Sequence, residues 1–412
     1  MSLRVLHTAD WHLGHQLHGF DRAHEQARIL AWLLDTIEAE RVNALLVAGD
    51  VFDSANPPTE ALAHWYRFLG DAWRRFDHLQ VVVIGGNHDS PARLDATDPF
   101  LRALDRLHVL GGAQRRDGVL DLDRHVVPLG DGAGRRAAWV AAVPHLRASE
   151  TGTGDEQTVA AGVRRVYDGV LDRIRARREP GQAIIAMGHL YLVGGQVSSL
   201  SERRLSMGNE LAVGHDLFPA EVTYAALGHL HLAQPVGGKE HIRYAGSLMP
   251  LSLSEREYPH QALLAVLDGE QLVEVRELRA PRLVELPRIP TRGTATVEEA
   301  LAAIRELPAR ADGDPGELPL LEVEVRVEKP EPGLRQRVDE ALQGKAARLA
   351  RLGVTLTGTG AALGDVEVRS IADVRPEEVF RRRWARDHQG APTPELVAAF
   401  DELLDLVQQE TP

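Results

Sequence analysis

The sequence contains no cysteine. Disulfides and thiolate metal sites are therefore excluded, and any bound metal must be held by His, Asp, Glu or Asn. It also lacks a hydrophobic run approaching the roughly twenty residues that span a bilayer. Its opening stretch "LRVLHT" has none of the basic, apolar and small-residue pattern of a secretory leader. Together with the missing cysteine this gives the expectation of a cytoplasmic protein. Basic residues are in deficit: 47 Lys and Arg stand against 60 Asp and Glu, a formal net charge of −13. The whole-molecule field would repel a polyanion, so a nucleic-acid partner must be held by local basic patches, metal ions or another subunit. No internal repeat and no low-complexity tract is present.

What is there fits a soluble globular chain of two or three domains: 412 residues, 44% hydrophobic and 26% charged. From Leu3 to about Leu278, short apolar runs ("LRVLHT", "ALLVAGD", "QVVVIGG", "AIIAMGH", "TYAALGH") alternate with segments of helical spacing. One such segment covers Asp21 to Glu40, with a stripe of Ile29, Leu30, Leu33, Leu34 and Ile37; another covers Asp155 to Arg178. This alternation predicts a layered α/β domain. Gly112 to Pro144 reads as irregular strands, and "QALLAVLDGEQLVEVREL" as a hairpin turning at Asp268-Gly269. The Pro- and Arg-rich stretch from Arg279 to Gly293 reads as a linker. Beyond it the pattern predicts a small α+β module, with a helix near Val297 to Arg305, a strand "LLEVEVRVE", a helix from Gly333 to Arg351 and a strand "GVTLTG". Two helices are expected within residues 373–412, the second striped by Leu396, Phe400, Leu403, Leu404 and Val407. The expected domains are thus 1–279, 280–365 and 373–412.

Four of the apolar runs end alike, each in a glycine followed by a polar residue: Asp50, Asn87, His189 and His229. Taken singly, each ending is an ordinary turn. Taken together they suggest that strand ends deliver donors to one crevice, because functional groups gather beyond the carboxyl ends of strands in α/β sheets. Glycine, without a Cβ, lets the chain turn sharply there. "HTADWHLG" adds Asp10 and His12, and "GHLH" adds His231. In extended chain, residues two apart point the same way, so Asp10 with His12 and His229 with His231 can each grip one centre. Two Asp, one Asn and four His exceed what a single tetrahedral ion needs and suit two ions sharing a carboxylate. Mixed nitrogen and oxygen donors without sulfur favour Mn²⁺, with Fe²⁺, Mg²⁺ and Zn²⁺ as alternatives. The remaining histidines (His15, His18, His24, His64, His145 and His215 among them) lack this context and read as solvated or structural.

The motifs "HTADWHLG", "GDVFDSANPP", "GNHDS", "ALGHLH" and "RYAGS" resemble those of the calcineurin-like metallophosphoesterases. Within that superfamily the chain is similar to the bacterial SbcD nuclease subunits, a likeness that extends to "SER" at Ser201, "PLSLSE" at Pro250 and "PEEVFRRR" near the C-terminus. The resemblance implies a four-layer αββα sandwich with a small α+β capping domain and C-terminal helices that bind a partner. It implies that Asp10, His12 and His231 hold one metal, that Asn87, His189 and His229 hold a second, and that Asp50 bridges them. His88 would donate a proton beside the substrate phosphate, oriented by the Asp53 carboxylate, while Asp89 would be structural. The implied reaction is two-metal phosphodiester hydrolysis: paired cations about 3.5–4 Å apart clamp attacking and leaving oxygens and acidify a water.

The same resemblance implies an Mn-dependent DNA nuclease acting in repair, recombination and replication. It would be a 3'–5' exonuclease on duplex ends and an endonuclease on single strands and hairpins. Its partner would be an SbcC-type coiled-coil ATPase, the only route by which ATP enters, with a homodimer inside a heterotetramer. Phosphoprotein phosphatases of the superfamily place an Arg where this chain has Ser54, which argues for an internal diester over a phosphomonoester. A small-nucleotide phosphodiesterase and a non-catalytic scaffold tethering an ATPase stay open as other readings. The arginine runs at Arg173 and Arg381 read either as phosphate contacts or as solvated helix faces.

Overall fold

The five apolar runs all form strands, divided between the two sheets that the expected αββα sandwich requires. The computed structural model describes residues 2–96, 106–151, 156–193, 195, 213–310, 315–357, 384, 396 and 400. In the first sheet, β1 (Leu3–Thr8), β2 (Ala44–Ala48), β3 (Gln80–Ile84) and β4 (Leu107–Leu110) run parallel. A two-residue pair, β5 (Arg115–Arg116) and β6 (Val119–Leu120), forms a small separate hairpin. The second sheet contains β7 (Val126–Gly130), β8 (Arg136–Ala142), β9 (Ala183–His189), β10 (Val222–Gly228), β11 (Gln234–Val236) and β12 (Lys239–Tyr244), in the order β11-β12-β10-β9-β8-β7. The hairpin of β13 (Gln261–Asp268) and β14 (Gln271–Arg279) returns to the first sheet, β13 pairing antiparallel with β1. Asp268 pairs with Gln271, so the turn residues are Gly269 and Glu270, one later than expected, with Gly269 at φ 57°.

Burial on both faces explains why these strands read as unbroken apolar runs. Along β2, Ala44, Leu46 and Ala48 face the core between the sheets, whereas Leu45 and Val47 face the helices. Those helices are α1 (Ala23–Ala39), which buries the predicted stripe, and α2 (Thr59–Arg75), which buries Trp65, Phe68 and Leu69. Helix Glu156–Arg175 covers the outer face of the second sheet with Val163, Val166, Tyr167, Val170 and Ile174. Helix, sheet, sheet and helix are therefore stacked as four layers. The stretch Gly112 to Pro144 supplies two full members of the second sheet, β7 and β8.

By contact the chain divides into Met1–Val327 with Glu331–Thr355, and Glu328–Pro330 with Leu356–Pro412. Within the first unit, a three-stranded sheet of β15 (Arg288–Ile289), β16 (Leu320–Val327) and β17 (Arg348–Leu356) packs on helices Val297–Arg305 and Leu334–Leu342 around its own core. Two expectations are corrected here. The helix expected from Gly333 to Arg351 stops at Leu342, because Gly344 takes φ 74° and the chain then runs as the strand β17. The stretch read as a linker is structured: Val284 and Leu286 are buried with Leu17, Leu253 and Leu320, and Arg288–Ile289 pairs with β16. Apolar residues at alternate positions outweigh the prolines there. Of the helices expected over 373–412, only Trp384, Leu396 and Phe400 fall within the described residues, and those three are helical. The segment 201–203 and the arginines at 381–383 also lie outside them. No helix among the described residues is long and apolar enough to cross a membrane.

Leu286 is 4% exposed, so Leu286→Ala should destabilise the protein by about 2–5 kcal/mol in urea unfolding. A change within about 0.5 kcal/mol would return this stretch to the status of a free linker.

Candidate metal centre

The strand ends deliver their donors to one place, from both sheets. Donor atoms of Asp10, His12 and His231 lie within 4.8 Å of one another, as do those of Asp10, Asp50 and His189. Asn87 Oδ1 sits 2.9 Å from His189 Nε2 and 3.2 Å from His229 Nδ1. Asp50 Oδ2 lies between the groups, 3.5 Å from His12 Nε2 and 3.4 Å from His189 Nε2. Its other oxygen accepts the backbone N–H of His88 at 2.9 Å. All seven residues singled out for metal binding are thus brought together, with His88 beside them, its ring 4.9 Å from that of His12.

Local backbone strain marks the site. Asp10 (φ 53°), His12 (44°), Asp50 (49°) and His229 (105°) all have left-handed φ, a conformation that side chains with a Cβ adopt only when the surroundings impose it. Two of the preceding glycines are required by close approach. A Cβ on Gly49 would lie 2.2 Å from His189 Nδ1, and one on Gly86 would lie 2.1 Å from Asp50 Oδ1.

His189, His12 and His231 are each held through Nδ1. His189 Nδ1 donates to the Ala48 carbonyl at 2.8 Å, which turns Nε2 inward toward Asn87 and Asp50. His12 Nδ1 bonds the Asp53 carboxylate at 3.2 Å, and His231 Nδ1 bonds Glu255 Oε1 at 2.9 Å. His12 Nε2 is buried with no hydrogen-bond partner. Burial, opposed by the hydrogen bond that His12 Nδ1 donates to Asp53, lowers the His12 pKa to about 4, so its imidazole is neutral at pH 7, as a ligand must be. Burial raises Asp10 to about 6, with Asp50 adding to the effect. Burial also disfavours charge on Asp50 and His189, yet each overrides it in the other. The Asp50 carboxylate is held well below its usual range and His189 is pushed up to about 10. Buried carboxylates that force charge onto a neighbouring imidazole form a pocket for positive charge. Nitrogen and oxygen donors, an orphaned inward nitrogen and this electrostatic demand all fit divalent cations.

The Asp53 carboxylate corrects an expectation. It bonds His12 and also His15, whose Nδ1 lies 3.0 Å away. His88 is held instead by the main-chain carbonyl of Asp53, which accepts from Nδ1 at 2.8 Å. Asp89 is a brace: its carboxylate accepts the backbone N–H of Val51, Phe52 and Gly86, tying two strand ends together. Sequence reasoning missed Glu255, fully buried and also accepting the Leu251 N–H at 2.8 Å. It missed His145 too, whose Nδ1 is 3.2 Å from the His189 carbonyl. "PLSLSE" contains Glu255, but nothing local in that stretch points to His231. The arginines of Arg173 to Arg178 pair with Asp123, Asp172, Glu221 and Glu270, which favours the reading as a salt-bridged helix face.

This two-sheet scaffold with its junction of carboxylate, amide and imidazole donors defines a calcineurin-like phosphoesterase, and the model of that family matches residues 3–233. A second family model, described as the type 5 capsule protein repressor C-terminal domain, matches residues 282–388. A protein of Rhodobacter capsulatus, named as the SbcD component of the nuclease SbcCD, is 39% identical over 92% of this chain and 93% of its own length. Proteins of the same name are 29% identical in Escherichia coli K12, over 93% of each chain, and 33% identical in Bacillus subtilis, over 62% of this chain and 64% of that one. The chain belongs to the SbcD family of SbcCD nuclease components.

Gly86→Ala should displace the Asp50 carboxylate and weaken Mn²⁺ binding by about tenfold or more, with an unchanged far-UV circular dichroism spectrum. Unaltered calorimetric Mn²⁺ titration would contradict the placement of Asp50.

Proposed function

We propose that this chain is the nuclease subunit of an SbcCD-type complex, hydrolysing DNA phosphodiesters at two divalent cations. Asp10, His12 and His231 would hold one ion and Asn87, His189 and His229 the other, with Asp50 shared between them. The observation that carries this reading is the position of Asp50 Oδ2, within 3.5 Å of inward nitrogens from both groups. Mn²⁺ suits the donor set best, being tolerant of mixed imidazole and carboxylate ligation. When bound, the cations supply Lewis-acid polarisation of the diester and acidify water.

The chain's own residues do the rest. With its Nδ1 proton committed to the Asp53 carbonyl, His88 offers Nε2 to hand a proton to the departing oxygen. Asp53 serves indirectly: its carboxylate orients His12, and its carbonyl orients His88. Asn87 contributes an oxygen without adding negative charge beside the phosphate. Ser54 leaves out the guanidinium fork that a terminal phosphate would call for.

The substrate is DNA, cut from duplex ends in the 3'–5' direction and internally in single strands and hairpins. The partner is an SbcC-type coiled-coil ATPase, through which alone ATP acts. Residues 280–365 form the capping domain, and residues 373–412 bind the ATPase within a cytoplasmic assembly containing two copies of this chain. A net charge of −13 supports a division of labour in which the ATPase supplies most of the grip on DNA. The names of the relatives speak against a small-nucleotide phosphodiesterase, and the complete donor set speaks against an inert scaffold.

Linear duplex, hairpin and single-stranded DNA should be cleaved in Mn²⁺, more so with the ATPase present, and Asp50→Ala should abolish cleavage. His88→Ala should keep both ions while turnover falls about 10²–10⁴-fold. Ion content falling in step with turnover would show that His88 is a ligand instead.

A further inference from the structure

The carboxylate that orients His231 is followed directly in sequence by an arginine anchored to the other core of this unit. Arg256 donates Nε to the Leu253 carbonyl at 2.8 Å and Nη1 to the Leu286 carbonyl at 3.3 Å, while Nη2 bonds Glu322. Glu322 lies on β16, in the three-stranded sheet, and is paired in register with Arg288 of β15. Arg288 Nε lies 3.3 Å from the same carboxylate, and Arg351 of β17 donates to its other oxygen at 2.8 Å. One carboxylate thus gathers guanidinium groups from the catalytic layer and from two strands of the small sheet. The Glu322 side chain is 6% exposed and Arg256 15%, so the junction is largely withdrawn from water, and removing one partner leaves the other's charge buried and uncompensated.

The segment from Pro250 to Arg256 is held on every side. Arg22 donates to the Pro250 carbonyl, Glu255 Oε2 accepts from Leu251, and His260 Nε2 meets the Glu255 carbonyl at 3.2 Å. Glu255 Oε1 then reaches His231. The path from the small sheet to the metal ligand is Glu322, Arg256, Glu255, His231, with a single peptide bond as its one covalent step.

We infer that Arg256 and Glu322 are positioning residues: the seating of the three-stranded module on the sandwich sets the orientation of His231, and so the affinity of the ion it holds. This rests on the metal reading above. Nothing in it requires the module to touch substrate. The module acts through ligand geometry, as partners behind metal ligands commonly do.

The test is Mn²⁺ binding by calorimetry on the full chain, with melting temperature recorded in parallel, for wild type, Arg256→Met, Glu322→Ala and the double variant. Glu322→Gln keeps the shape and an acceptor oxygen and serves if Glu322→Ala does not fold. The expected result is two binding steps in the wild type and one step weakened about tenfold in each single variant, the other step unchanged. The double variant should be no worse than either single one, because the pair acts as one link. Wild-type affinities in folded variants would overturn the inference, as would losses that add in the double variant or a lower melting temperature without any change in affinity. Failure of the wild type to bind two ions would instead sink the metal reading itself.

Discussion

Asp50 is buried between two sheets at the only kind of place where its charge can be tolerated, among imidazoles and backbone donors that all face it. One oxygen takes the His88 N–H, and the other stands within 3.5 Å of both His12 and His189. Everything nearby accommodates that carboxylate. Gly86 gives up its side chain to let it in, Gly49 does the same for the His189 ring, and Asp10, His12, Asp50 and His229 accept left-handed backbone. Strain of this kind costs about 1–3 kcal/mol per residue and persists only where the surrounding structure over-determines it. Here that structure is a core packed on both faces of each sheet, with α1 and α2 on one outer face and helix Glu156–Arg175 on the other.

The same burial makes the junction chemically useful. Taken out of water, the carboxylates raise each other's demand for positive charge, which is why His189 is driven up to about 10, while burial of His12 outweighs its hydrogen bond to Asp53 and lowers it to about 4. The two histidines respond oppositely because Asp50, Asp10 and the Ala48 carbonyl together outweigh burial at His189, whereas Asp53 and Asp50 do not outweigh it at His12. A divalent cation on each side would satisfy both carboxylates and favour the neutral form of His12 and His189.

Much of this was legible in the sequence because period and punctuation survive without tertiary knowledge. Five apolar runs announced five strands, and a glycine before Asp50, Asn87, His189 and His229 announced where each chain had to turn. The two-sheet sandwich came from the family resemblance alone; which sheet each run joins was not legible, since an apolar run buried on both faces carries no mark of it. Glu255 and His145 were hidden for a related reason: a residue that serves a ligand from behind is distant in sequence and follows no spacing rule. The Asp53 carboxylate was expected to face His88, yet the backbone turn after Asp50 aims it at His12 and His15 and leaves its carbonyl for His88. Between Gly333 and Arg351 the alanines and arginines favour helix, and only the left-handed Gly344 and pairing in a three-stranded sheet turn the second half into strand.

The central claim is that one buried carboxylate unites two cation sites. A crystal soaked in Mn²⁺ and measured at the manganese edge tests it most directly. The account predicts two anomalous peaks, one on each side of Asp50 Oδ2, the first against Asp10, His12 and His231 and the second against Asn87, His189 and His229. A single peak, or a pair that leaves Asp50 uncoordinated, would contradict it.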